Sequence, residues 1–120
     1  MLNNATCFNN IYIVCGRTDL RSGIDKLVAT LIANGINDPM TEDTLYLFCG
    51  RKTDRIKGLV WEGDGYLLLY KRLEAGSFQW PRNVNEVQNL TKQQFRWLME
   101  GLTIEPKNSV NPVTPPEYMA

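Results

Sequence analysis

Between Gly50 and Arg82 the chain carries Arg51, Lys52, Arg55, Lys57, Lys71, Arg72 and Arg82 against Asp54, Glu62, Asp64 and Glu74, interleaved with Trp61, Tyr66, Tyr70, Phe78 and Trp80. Cations beside aromatic rings on a sheet can neutralise phosphates and stack on exposed bases. The candidate nucleic-acid-binding set is therefore Arg51, Lys52, Arg55, Lys57, Lys71, Arg72 and Arg82, with Trp80 as the stacking ring. A blander reading competes: a solvated sheet face with cross-strand ion pairs and the aromatic residues in the core, which composition alone favours.

Other chemistries find less to work with. The sequence has no histidine, which removes the commonest general base, the Ser-His and Cys-His nucleophile arrangements and most zinc sites. Cys7, Cys15 and Cys49 have no C-x-x-C spacing, and no phosphate-cradling G-x-x-x-x-G-K-[ST] loop occurs. Asp19, Asp25, Asp54, Glu62 and Asp64 could hold Mg²⁺ in a nuclease-like cluster. A first-turn position explains Asp25 as well, and a turn explains Asp64. No catalytic residue, metal or cofactor is expected, and the chain reads as a non-enzyme.

Lys plus Arg and Asp plus Glu balance at 13 each, so any attraction for an anionic partner must come from local clustering. The odd cysteine count and a polar, uncharged N-terminal stretch that fits no export signal imply reduced thiols in a cytoplasmic protein. Apolar runs are far shorter than the roughly 20 residues a membrane helix needs, so no membrane partner is expected.

The elements that must position these residues follow from periodicity. Ile11 to Cys15 is β-branched and aromatic and reads as a buried strand. Ile24, Leu27, Val28, Leu31 and Ile32 then fall on one stripe of a helix from about Ser22 to Asn34, with Ser22 and Asp25 as a capping box and Gly35 at the end. Strands follow at Thr44 to Cys49, Arg55 to Glu62 and Tyr66 to Leu73, the last two joined in a hairpin through Glu62-Gly63-Asp64-Gly65. Both faces of the Tyr66 strand are apolar through Tyr70, which predicts cover on both sides or an interface. A second helix starts near Leu90 with Thr91 as N-cap and Gln94 closing the box, and stops near Gly101. The whole predicts one α+β domain over 8–104: a mixed or antiparallel sheet of four or more strands, one helix packed on a face, and a C-terminal helix. A flexible Pro/Asn-rich tail is expected over 105–120.

Several blocks, in order, carry a resemblance: Gly16 to Asp25, Asp38-Pro39-Met40, Leu45 to Lys57, Trp61 to Tyr66, Tyr70 to Gly76, and Phe78 to Pro81. Over about residues 11 to 102 the chain resembles the accessory protein of insertion-sequence elements of family sixty-six, often called TnpB, and not the much longer RNA-guided nucleases that share the name. Leu20 stands where that family usually has Met, and Ser22 where it has a basic residue. The resemblance implies a non-catalytic protein that works in DNA transposition beside a separate, larger transposase. Its implied partners are the transposase, the other accessory protein of the same element, and element-end DNA. Three readings stand open: a DNA-binding or complex-assembling module, an adaptor that touches the transposase but no DNA, and a metal-dependent nuclease using Asp19, Asp54 and Asp64.

Overall fold

The computed structural model describes Leu2, residues 7–82 and residues 86–104; the expected tail over 105–120 lies outside the described residues. Five strands, β1 (Asn10–Val14), β2 (Thr44–Cys49), β3 (Arg55–Trp61), β4 (Tyr66–Arg72) and β5 (Val87–Leu90), form one sheet in the order β4-β3-β2-β1-β5. Helix α1 (Ile24–Ala33) joins β1 to β2, which run parallel, while every other neighbouring pair is antiparallel. Helix α2 (Lys92–Met99) follows β5. The sheet is thus mixed and the domain α+β, with a C-terminal helix.

Alternation along the strands divides the apolar residues into two layers of core. One gathers Leu27 and Leu31 of α1 with Val14, Tyr46, Phe48 and Leu59. The other gathers Phe95, Leu98 and Met99 of α2 with Ile11, Ile13, Leu45, Leu47, Ile56, Phe78 and Trp80. The two helices therefore cover opposite faces. β2 lies at the centre and all six of its residues are buried. Each fully buried Leu, Ile or Phe contributes about 1.5–3 kcal/mol through removal of apolar surface from water.

Helix ends obey local chemistry unevenly. Thr91 accepts from the Gln94 amide at 3.0 Å while the Gln94 side chain accepts from the Thr91 amide at 2.9 Å, the reciprocal box read from the sequence. The box expected at Ser22 is absent: the Ser22 amide donates to the Asp19 carbonyl, and α1 begins one residue later with Gly23 as N-cap and no side-chain cap. Asp25 does occupy the first turn, and Gly35 after the helix has φ +96°.

Two further expectations change. Of the two alternatives for β4, cover on both sides is not met, since it is an edge strand with Leu67 40% and Tyr70 55% exposed, which leaves the interface alternative. The fifth strand, Val87–Leu90, was not anticipated, because its centre is the polar pair Gln88-Asn89 and its pairing with β1 is visible only in three dimensions.

Candidate nucleic-acid interface

Where the parallel strands β1 and β2 end, the chain turns through Gly16–Arg21 and Gly50–Lys52, and these turns sit above the α1-side face of β3 and β4. They enclose an open groove of about 960 Å³ lined by Arg17, Arg21, Arg51, Lys52, Arg55 and Lys57, with Leu20, Leu68 and Tyr70 between them. Asp19 is the one carboxylate in that lining. Loops at the carboxyl ends of parallel strands are a favoured place for ligand sites.

Local structure fixes each cation. The four-residue turn places Trp61 opposite Tyr66, and counting back along the hairpin sets Lys57 opposite Tyr70 and Arg55 opposite Arg72. Alternation then puts Arg55, Lys57, Leu68 and Tyr70 on the same face. Lys57 reaches the Ser22 carbonyl at 3.2 Å, tying β3 to the turn before α1. Gly50 permits the two turns to meet, since the Thr18 amide donates to the Cys49 carbonyl at 2.9 Å and a Cβ on Gly50 would stand 3.0 Å from Leu20 Cγ.

Arg82 is the clamp at this end of the sheet. One of its terminal nitrogens donates to the Gly16 carbonyl at 2.8 Å, and the other reaches the Gly50 and Arg51 carbonyls and the Cys49 sulfur. A guanidinium offers several rigidly placed donors, which is why one side chain can hold two loops together. Burial pushes the Cys49 thiol up, and Arg82 works against that shift.

The eight sequence-derived candidates therefore divide. Arg51, Lys52, Arg55 and Lys57 come together in the groove. Arg82 holds the loops beneath them. Arg72 binds Glu74 at 2.9 Å, and Lys71 lies across from Ile56, on the α2-side face. Trp80 leaves the set: it is 5% exposed, packed in the α2-side core with its indole N–H on the Val14 carbonyl at 3.0 Å, and it has no face to offer a base. Arg17 and Arg21 join the groove from outside the candidate stretch, and Tyr70, one of the interleaved aromatic residues, joins it from outside the candidate set. Hairpin counting from Glu62 to Gly65 was the available signal for Tyr70, and the run after the first strand was the signal for the two arginines.

Electrostatics keep the groove positive. Arg21 holds the Asp19 carboxyl down at about 2 through a paired contact of 3.1 Å on each oxygen. Asp54 binds the neighbouring Arg55 at 2.9 Å; this bond and, more weakly, the Tyr70 hydroxyl hold the Arg55 guanidinium above its ordinary range. Among the described residues, Arg17, Arg51 and Lys52 are exposed and form no ion pair. Asp19, Asp54 and Asp64 are not brought together: among the described residues no three carboxylates or cysteines form a group able to hold a metal. No helix among the described residues is long and apolar enough to cross a membrane.

A family model described as IS66 Orf2 like protein matches residues 9–109. Two proteins of Sinorhizobium fredii (strain NBRC 101917 / NGR234) are similar over 92 residues. The uncharacterized protein y4jC is 29% identical, over 77% of this chain and 78% of its own length. The uncharacterized protein y4hO is 28% identical, over 77% and 79%. No solved structure matches the chain.

Proposed function

The chain belongs to the IS66 Orf2-like family of transposition-associated accessory proteins, and on that premise we propose that it acts in transposition by holding the DNA backbone of the element in the groove between the Gly16–Arg21 and Gly50–Lys52 turns. The observation that carries this reading is the convergence of six cations from three separate stretches of sequence in a groove whose lining has one carboxylate, Asp19, with Asp54 paired to Arg55 beside it, in a chain whose net charge is zero. Arg17, Arg51 and Lys52, exposed and outside any described ion pair, supply the phosphate contacts. Arg55 and Lys57 line the floor, and Arg82 positions the rim. The strand-breaking and joining chemistry then belongs to the transposase, with this protein presenting the substrate.

Fluorescence-anisotropy titration against labelled element-end DNA and a scrambled sequence, at two salt concentrations and without transposase, tests the proposal. Binding should weaken with salt, log K falling by about 0.7–0.9 per log unit of salt for each phosphate neutralised. Binding indifferent to salt, or none at low salt, would transfer the role to an adaptor that contacts the transposase alone.

A further inference from the structure

We infer that the DNA the groove takes is single-stranded, with an unpaired base stacked on Tyr70. This rests on the proposed function and specifies its substrate class.

The first argument is shape. Proteins that read a duplex through its bases insert a convex element, a helix or a two-stranded ribbon, into the major groove. Here the cations line a concavity, and the helices carry few of their own: Lys26 on α1, and Lys92 and Arg96 on α2. A concave cationic track accepts a flexible strand, whose phosphates can follow the rim while its bases turn inward.

The second argument is what lies between the cations. Tyr70 is 55% exposed although it stands in mid-strand next to Lys71 and across from Lys57, and it is the aromatic ring in the groove lining. Its hydroxyl sits beside the Arg55 guanidinium, so an aromatic ring and a planar cation occur together. Unpaired bases stack on both kinds of plane, and every base has a π-face to offer. A base inside a duplex is already stacked on its neighbours and has none free. Leu20 and Leu68 line the same groove and add apolar surface to it. The edge position of β4 leaves the groove open at the side, so a strand can enter without threading.

The decisive experiment titrates the protein with a labelled single strand, the matching duplex, and an abasic strand of equal length, repeating each with Tyr70→Ala and Tyr70→Phe. The single strand should bind more tightly than both the duplex and the abasic strand. Tyr70→Ala should weaken single-strand binding about 5- to 150-fold, the range that base stacking supplies. Tyr70→Phe, which keeps the ring, should stay within about threefold, because stacking and not the hydroxyl carries the contact. Equal affinity for single strand and abasic strand, with Tyr70→Ala without effect, overturns the stacking inference while leaving phosphate binding in place. Failure of all three probes to bind overturns the proposed function itself. Thermal melting of Tyr70→Ala confirms that the fold is retained, as its exposed edge position requires.

Discussion

On the α2 side of the sheet, Phe78 and Trp80 lie with Phe95, Leu98 and Met99 over the strands and are almost wholly buried, whereas on the α1 side the cover given by Leu27 and Leu31 leaves Arg55, Lys57 and Tyr70 at the wall of an open groove. Both sides draw on the same 33-residue stretch of mixed cations and aromatic residues from Gly50 to Arg82. What separates them is strand parity and the path of residues 78–82, which return beside β1 and insert their aromatic side chains into the core. Within this stretch Phe78 and Trp80 are therefore taken up by the α2-side core, while Tyr70 stays at the candidate site.

The sealed side should break first and hardest. Trp80→Ala removes a buried indole and leaves the Val14 carbonyl without its donor, and truncations of this kind cost about 3–5 kcal/mol. In a domain of this size that lowers Tm by about 15 °C or more, measurable by calorimetry. Tyr70→Ala, on the open side, should leave Tm nearly unchanged. If both substitutions destabilise equally, the division between the faces is wrong.

Arg82 tests how the faces communicate. Replacement by Met leaves the Gly16, Gly50 and Arg51 carbonyls without this donor and releases two loops, costing about 1–3 kcal/mol. DNA affinity should fall along with stability, because the rim cations lose their frame. Arg82→Lys should behave like the Met variant, since one ammonium cannot reproduce the guanidinium fork. Full DNA affinity in Arg82→Lys would show that the loops hold themselves.

Much of this was legible from the residues, and for stated reasons. Five apolar positions on one stripe specified α1, and Thr91 with Gln94 specified the start of α2, because both signals are local. Hairpin counting places Tyr70 opposite Lys57, so half of the groove floor follows from one turn. Other features depended on distant partners. Ser22 resembles a cap but is held by the Asp19 turn and Lys57. Val87–Leu90 becomes a strand only because β1 has a free edge to pair with. Trp80, two residues before Arg82, has both a stacking and a core reading in the sequence, and the buried Val14 carbonyl that accepts from its indole decides for the core.

On the open side, Arg51→Gln with Lys52→Gln should lower the salt slope of DNA binding by about two, one for each lost phosphate contact, with little change in Tm. An unchanged slope would remove both residues from the interface and leave the contact to the Gly16–Arg21 turn with β3 and β4.

The smallest expected effect is also the sharpest probe of charge. Asp19 is the groove's carboxylate, and Asp19→Asn frees Arg21 and raises the local charge by one, so DNA should bind about two- to fivefold more tightly at low salt, with the gain vanishing at high salt. In the native protein the Asp19 carboxyl is lowered from 3.8 to about 2, so the stability from its pairing with Arg21 is complete above the ordinary value and is lost as pH falls through about 2. With no histidine in the chain, the groove's charge stays constant from mildly acidic to neutral pH. DNA affinity measured across that window should be flat for both proteins and separated by the same factor throughout. A difference that appears only at one end of the window would mean that another group controls the groove's charge, and that Asp19 is not its counterweight.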